Sequence, residues 1–450
     1  MKIAIIGAGL AGLTAAYELR DHEVTVLEAD GRIGGKLHTV PFKGGPTDMG
    51  AEAFVRRRQD AVEFFRELGL EDALVDPSDK RPRVYTGGKL HFMPPGGLMG
   101  IPAEPQDFFS AATNERIANE VPFEWTPGHD VSVGALVRQQ YGDEVVDHLL
   151  SALLGGVYSC VADDLGLRAT LPMLARKLDE LAADGPVTLS AAVAAIESGR
   201  SPAASHAFAT FKDGFKDLYE TLAEKSGAEI HLDTFVSGVT RTKDGFQVTG
   251  AEGTFDRVVF ATPAPTTARL ISKVSPEAAQ TLKDIKLASS VVVGFNFASA
   301  IDPAGNSLPD ATGILVAADE PGIQAKAFTL SSRKWPHLGQ REGFLVRASF
   351  GRFGDDALVR AEEDDLVDIA LDDLKTITGF DGRAAGVEEI YTQRWFGGLP
   401  RYDHTHLETV AAVEESLAGV EGVAATGAWA HGVGIPDVIA HARKVARDLA

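Results

Sequence analysis

The chain has 450 residues, 44% of them hydrophobic and 24% charged, enough for two or three domains with cores of their own. Its formal net charge of −21, from 43 basic and 64 acidic residues, opposes nucleic-acid binding, which needs a basic footprint, and purely electrostatic attachment to anionic lipid. The one cysteine, Cys160, cannot form an intramolecular disulfide; it fits a reducing compartment and reads as a packing residue.

Residues 3–6, Ile-Ala-Ile-Ile, form a short apolar run expected to be a buried parallel strand, with no secretory leader read before it. The run ends in Gly7-Ala8-Gly9-Leu10-Ala11-Gly12. A helical pattern follows in Leu13, Ala16, Tyr17 and Leu19, then a second strand over 24–27 that ends at Glu28, 21 residues after Gly7. Strand, glycines, helix, strand and acid in this order predict a dinucleotide site. Gly7 permits the tight turn, Gly9 lets the backbone approach a pyrophosphate, and Gly12 lets helix and strand pack closely. The helix amino terminus offers free N–H groups and a positive dipole end to phosphates, while Glu28 can accept ribose hydroxyls. A second glycine turn, Gly31-Arg32-Ile33-Gly34-Gly35-Lys36, predicts another backbone approach to the same ligand.

A helix is predicted at 59–68, closing at Gly69. A hairpin turn is predicted over 85–90, and a break at Pro94-Pro95-Gly96-Gly97. Residues 104–198 are helical and strand-poor: Leu136, Val137, Tyr141, Val145, Val146, Leu149 and Leu150 recur at helical spacing. No stretch reaches the ~18 continuous apolar residues of a membrane helix; residues 149–162 come nearest and are broken by Ser151, Gly155, Gly156 and Ser159. Loops are expected at Gly185-Pro186 and over 199–202. A strand at 208–211 and a helix at 215–226 return to α/β order, followed by strands at 228–232, 246–249 and 257–260. Pro263 marks a domain crossover. Alternating strands dominate from 287 to about 395, at 290–295, 313–317, 327–330 and 344–350. A strand at 423–427 and a helix at 436–449 end the chain. Between them, Gly427 to Asp437 place the backbone N–H groups of Val433, Gly434 and Ile435 at a helix start, where a positive end could stabilise an anionic ligand.

The two amino-terminal glycine turns together resemble the amine-oxidase-like flavoproteins, which implies FAD as the cofactor. Further blocks resemble the FAD-dependent porphyrinogen oxidases of haem biosynthesis. They are Gly50-Ala51-Glu52-Ala53-Phe54, residues 85–94, Met99-Gly100-Ile101-Pro102, residues 154–158 and 167–172, Arg394-Trp395, Leu399-Pro400-Arg401-Tyr402, and Gly432-Val433-Gly434-Ile435-Pro436. The set spans nearly the whole chain in order. Departures are Gly50-Ala51-Glu52-Ala53 where that family often has Gly-Pro-Glu-Ser, and Pro400-Arg401-Tyr402 where it often has Pro-Gln-Tyr. His404 and His406 also stand where one histidine is usual. These put fine substrate contacts in doubt, not FAD binding.

The implied fold class is α/β. A discontinuous Rossmann-type FAD-binding domain takes 1–60, 205–262 and 415–450; a sheet-rich substrate domain takes 61–103 and 263–414; a helical subdomain takes 104–204. By the resemblance, FAD contacts fall on Gly7, Ala8, Gly9, Leu10, Ala11, Gly12, Glu28, Ala29, Lys36, Gly50, Ala51, Glu52 and Ala53. Val236 would touch the adenosine end, with Trp395, Val433, Gly434 and Ile435 near the flavin. The implied reaction is oxidation of coproporphyrinogen III to coproporphyrin III with O2 as acceptor and H2O2 released. Protoporphyrinogen IX is the alternative substrate. An amine oxidase, a carotenoid desaturase and a non-catalytic flavin-containing porphyrin carrier are further alternatives. Since flavin accepts hydride itself, no protein nucleophile, triad or metal is expected. Two basic clusters, Arg56, Arg57 and Arg58, and Lys80, Arg81 and Arg83, are candidates for the propionates, with solvated surface charge as the other reading. The expected setting is cytoplasmic, with no integral membrane segment and no nucleic acid; a peripheral membrane contact and a transient contact with the haem-pathway ferrochelatase stay open.

Overall fold

The structure is a computed structural model that describes residues 1–199 and 207–450. The loop expected over 199–202 therefore lies outside the described residues beyond Gly199. The chain divides into two compact units: Met1–Asp76 with His206–Leu287 and Leu407–Ala450, and Pro77–Ser205 with Ala288–His406.

The first unit is built on β1 (Lys2–Ile6), α1 (Leu10–Glu18), β2 (Glu23–Leu27), α2 (Gln59–Glu67), α3 (Lys216–Ser226), β3 (Glu229–His231), β4 (Arg257–Phe260), α4 (His406–Ala418), β5 (Val423–Ala425) and α5 (Ile435–Leu449). Its five strands form a parallel sheet in the order β3-β2-β1-β4-β5. The apolar run of β1 suits its central place: Ile3 and Ile5 pack into one core cluster and Ala4 and Ile6 into another, so both faces are covered. Helix α1 is buried from Leu10 to Tyr17, between α3 and α5. The last helix is tied to the first by charge, with Arg443 and Arg447 holding Glu18 at 2.6 and 2.8 Å.

Two features differ from expectation. The strand Phe208–Phe211 does not join the parallel sheet; it pairs antiparallel with Phe54–Val55 and Leu74–Val75, where Phe211 meets Phe54 and Phe65. Pro263 caps the helix Ala264–Ile271 within this unit, and the chain passes to the second unit at Leu287.

The second unit carries a seven-stranded sheet in the order Val387–Pro400, Leu287–Phe297, Phe344–Phe350, Ala327–Thr329, Gly313–Val316, Arg83–Thr86, Lys89–Phe92. The helices between Ala111 and Ser198 belong to it. One long helix, Glu363–Thr378, falls where strands were expected to dominate. Its pattern is legible once noticed: Leu366, Ala370, Leu371, Leu374 and Ile377 make one buried face, three acids fill the first turn, and Gly379 ends it at φ +77°. That face packs with Val291, Val293, Phe295 and Phe297 of the sheet. Among the described residues, no helix is long and apolar enough to cross a membrane.

Candidate functional site

The first glycine turn sits where β1 gives way to α1. Gly7 has φ +106°, and a Cβ there would lie 2.7 Å from the Ala261 carbonyl oxygen. At Gly12 a Cβ would lie 1.9 Å from the carbonyl oxygen of Gly7. The fold itself excludes any side chain at either position. Gly9 is different. It caps α1 with φ −74° and ψ −179°, a backbone any residue adopts, and an added Cβ would meet only the Gly35 Cα, at an ordinary 3.8 Å. Nothing in the protein requires glycine there. A ligand brought close to the backbone does.

The second glycine turn lies against the first. Gly34 N–H donates to the Ala8 carbonyl at 2.9 Å, and Gly9 and Gly34 form a parallel bridge. Gly34 and Gly35 have φ +97° and +57°; a Cβ at Gly35 would come within 2.9 Å of the Gly9 Cα. Arg32 holds the turn, its guanidinium donating to the carbonyls of Gly35, Ile33 and Leu37 at 2.6, 3.1 and 3.3 Å. Sequence reasoning placed Arg32 in the motif without that role.

Glu28 closes the end of β2. Its carboxylate accepts the Ala8 N–H at 2.7 Å and the Asp30 N–H at 2.9 Å, so it binds the glycine turn to the strand end. Ala29 is exposed beside it. The segment after β3 runs alongside: Thr234 N–H donates to the Glu28 carbonyl and Asp233 N–H to the Asp30 carbonyl, at 2.8 and 3.1 Å. This brings Val236, buried with Leu27 and Phe260, to the same strand end.

The hairpin of Thr39–Phe42 and Gly45–Asp48 delivers residues 50–53 to Lys36. Ala51 N–H donates to the Lys36 carbonyl at 3.3 Å, and a Cβ on Gly50 would lie 2.1 Å from that oxygen. Asp48 anchors the hairpin by accepting from Thr39 Oγ1 at 2.5 Å and from Phe215 N–H at 3.1 Å. Burial alone pushes the Lys36 ammonium down to about 8. A half-buried cation beside two glycine turns suits an anionic ligand.

The carboxy-terminal loop joins β5 to α5. Thr426 N–H donates to the Phe260 carbonyl at 2.9 Å, and the buried Trp429 ring donates to the Thr262 carbonyl at 3.2 Å. Gly434 caps α5, with Ile435 and Pro436 in the first turn, and Val433 and Gly434 are half-buried ahead of it.

The expected basic clusters are largely engaged within their own units. Arg56 pairs with Asp76 at 2.8 Å. Arg58 bonds Asp60 at 2.8 Å and also Asp437 in the first turn of α5; those two carboxylates raise its basicity further. Lys80 pairs with Asp310 at 2.6 Å, and Arg81 donates to the Met93 carbonyl at 2.6 Å. Arg83 lies 3.3 Å over the exposed Phe92 ring. Among the described residues, neither Arg57 nor Arg83 pairs with a carboxylate. Trp395 is half-buried on the strand Val387–Pro400, and Gly398 stands where a Cβ would lie 2.8 Å from the Trp395 Cβ.

Other groups came together unannounced. Glu414 of α4, His431 of the loop and His441 of α5 converge, with His431 Nε2 and His441 Nε2 at 2.6 and 3.4 Å from Glu414 Oε1. Cys160 is buried, its thiol pushed up to about 12 by burial, which makes it inert packing.

A parallel sheet with two apposed glycine turns at its switch from strand to helix, an acid closing the second strand and a cation in the cradle define a dinucleotide-dependent oxidoreductase. The comparisons make this particular. The model of the family described as flavin containing amine oxidoreductase matches residues 10–450, and the chain belongs to that family. Its cofactor is FAD, for which the room at Gly9 and the Glu28 and Lys36 surroundings provide a fitting cradle. The chain is 35% identical to the coproporphyrinogen III oxidase of Mycobacterium leprae, covering 99% of this chain and 97% of that protein. It is 28% identical to the Bacillus subtilis protein of the same name, over 99% and 97%. The crystal structure of a protein from Exiguobacterium sp. 255-15 superposes with TM-score 0.86 at 26% identity, covering 100% of this chain and 98% of that one. The fold is also that of a wild-type putrescine oxidase bound to putrescine, with TM-score 0.68 at 16% identity over 100% and 99%.

Proposed function

We propose that this protein oxidises coproporphyrinogen III to coproporphyrin III in haem biosynthesis, with O2 as the final acceptor. The observation that carries the reading is the end-to-end match, at 35% identity, to a coproporphyrinogen III oxidase. Three two-electron oxidations aromatise the macrocycle, and three O2 become three H2O2. Bound FAD supplies the hydride acceptor. The chain's own residues bind and orient. Gly7 to Gly12 with the amino terminus of α1 receive the pyrophosphate, and Glu28 and Ala29 receive the adenosine ribose. Val236 borders the adenine end, and Lys36 and Gly50 to Ala53 flank the cradle. The N–H groups of Val433, Gly434 and Ile435 would offer positive charge to the flavin's pyrimidine end. Of the two expected cation clusters, Arg57 and Arg83 keep the best claim on propionates, since Arg56, Arg58, Lys80 and Arg81 already have partners.

Protoporphyrinogen IX is the second reading. It is favoured by a 24% identity to protoporphyrinogen oxidase 2 of Arabidopsis thaliana over 93% of this chain. Mixing the FAD-loaded protein anaerobically with each porphyrinogen separates them. Flavin bleaching and porphyrin absorbance should rise together, faster with coproporphyrinogen III. A flavin that stays oxidised with both, and is bleached by a polyamine, would overturn the proposal. Contact with ferrochelatase is a further proposal that co-sedimentation would check.

A further inference from the structure

The second unit holds two cations that form no ion pair among the described residues. Lys326 precedes the strand Ala327–Thr329, and Arg352 follows the strand Phe344–Phe350. Antiparallel pairing of those strands, continued by the Lys326 N–H to Ser349 carbonyl bond at 2.8 Å, brings the two together. Lys326 is only 5% exposed. Its ammonium donates to Ser159 Oγ at 2.6 Å and to the Gly351 carbonyl at 2.9 Å, both neutral acceptors. The Arg352 backbone is pinned by paired bonds with Asp355, each 3.0 Å, but its buried Nε has no partner. Among the described residues, neither side chain forms an ion pair. Asp403 holds Arg401 at 2.6 Å, the exposed Asp355 acts on Arg352 only as a nearby charge without an ion pair, and the Cys160 thiol is neutral.

Gly155 faces Arg352, whose Nε would lie 3.8 Å from a Cβ at that position. Ser159 adopts φ +51°, a left-handed backbone that non-glycine residues rarely take, and so presents its hydroxyl to Lys326. Burial and the nearby guanidinium push Lys326 down to about 7. A buried cation beside a half-buried one opposes folding unless something anionic joins them.

We infer that Lys326, Arg352 and Ser159 form a binding site for a carboxylate, and that its occupant is a propionate of the macrocycle. This rests on the porphyrinogen reading for the identity of the occupant, while the site itself rests on the unpaired cations. A free carboxylate anion has the same chemistry and is the competing source.

The test uses FAD-loaded protein and the aromatic product as probe. Coproporphyrin III, its uncharged tetramethyl ester and sodium propionate are titrated against wild type, Lys326→Met, Arg352→Met and Arg352→Lys, with porphyrin binding read by fluorescence. Each methionine variant should bind coproporphyrin III at least about tenfold more weakly. Arg352→Lys should recover part of the loss, and the ester should bind all four proteins alike. Without porphyrin, the methionine variants should melt at or above the wild-type temperature, because an uncompensated buried charge has been removed. A purely structural role would lower that temperature instead and would overturn the inference. So would full coproporphyrin affinity in both methionine variants, or a site that propionate fills without competing with coproporphyrin. Wild type that binds coproporphyrin III but oxidises no porphyrinogen would overturn the oxidase reading alone. Wild-type turnover with unaffected variants would overturn the site alone.

Discussion

Gly9 and Gly12 stand three residues apart in one turn, yet the structure assigns their glycines to different causes. At Gly12 an alanine Cβ would lie 1.9 Å from the Gly7 carbonyl oxygen, about 1.5 Å inside ordinary contact, against backbone that cannot rotate away. Moving α1 outward works against its packing on α3 and α5 and should cost about 1–3 kcal/mol, a fall in melting temperature of roughly 3–10 °C for the apoprotein. At Gly9 the same methyl group has room at 3.8 Å. Alanine is a slightly poorer cap than glycine, by about 0.5 kcal/mol, and a stiffer unfolded chain returns about as much. Gly9→Ala should therefore leave the apoprotein's melting temperature within about 2 °C of wild type. Its methyl group would instead stand where the pyrophosphate approaches. A loss of about 1–3 kcal/mol there weakens FAD roughly 5- to 150-fold. Differential scanning fluorimetry of stripped protein measures the first quantity, and titration of that protein with FAD, read by flavin fluorescence, measures the second. Gly9→Ala that holds FAD as tightly as wild type, or that destabilises the apoprotein as much as Gly12→Ala, would refute the assignment.

Glu28→Ala removes the acceptor of two backbone N–H groups and should lower both FAD affinity and apoprotein stability by about 1–3 kcal/mol, whereas Glu28→Gln keeps one acceptor and should fall between. Equal damage from both would show that charge, not hydrogen bonding, holds the turn. Arg58→Gln breaks a half-exposed link to the first turn of α5; it should cost at most about 1 kcal/mol and leave KM for coproporphyrinogen unchanged, and a raised KM would return Arg58 to the substrate. His441 is held down to about 4 by burial and the adjacent His431, against an ordinary 6.5. Between those values the unfolded chain takes up a proton that the folded one refuses, so this contribution is complete above pH 6.5 and is lost as pH falls through 4. It amounts to up to about 3 kcal/mol. His441→Gln should flatten the acid limb of the stability profile in that window, and an unchanged limb would show that other groups set it.

The parts of the site readable from sequence are those built from neighbours. Gly7 to Gly12 and Gly31 to Lys36 lie in two short segments, and their glycines announce backbone demands that side chains cannot meet. The edge of the sheet, the amphipathic α5 and the strand cores follow from local periodicity for the same reason. What was missed depends on pairing across long separations. Arg58 meets Asp437 because α2 and α5 pack on one core, 379 residues apart in sequence. Glu414, His431 and His441 share no sequence motif and converge only through α4 and α5. Lys326 and Arg352 look like ordinary charged residues at strand ends until antiparallel register sets them side by side. The helix Glu363–Thr378 is the exception, since its spacing was legible and lay within a run of strand patterns.

A common argument links the cofactor cradle and the cation pair. Most glycines and cations here are explained by the fold alone: Gly12 by the carbonyl it would strike, Gly50 by the Lys36 carbonyl, Arg32 by the turn it holds, Arg443 by Glu18. Such residues say how the chain folds and nothing about what it binds. The informative ones are left over when that account is complete. Gly9 has space for a side chain it lacks, and among the described residues Lys326 and Arg352 form no ion pair. Selection for folding would fill the first and neutralise the second. Their persistence points outside the chain, to a dinucleotide that needs bare backbone and to an acidic substrate that brings its own carboxylates. On the reading proposed above, Gly9 answers to the cofactor and the two cations to a carboxylate of the substrate.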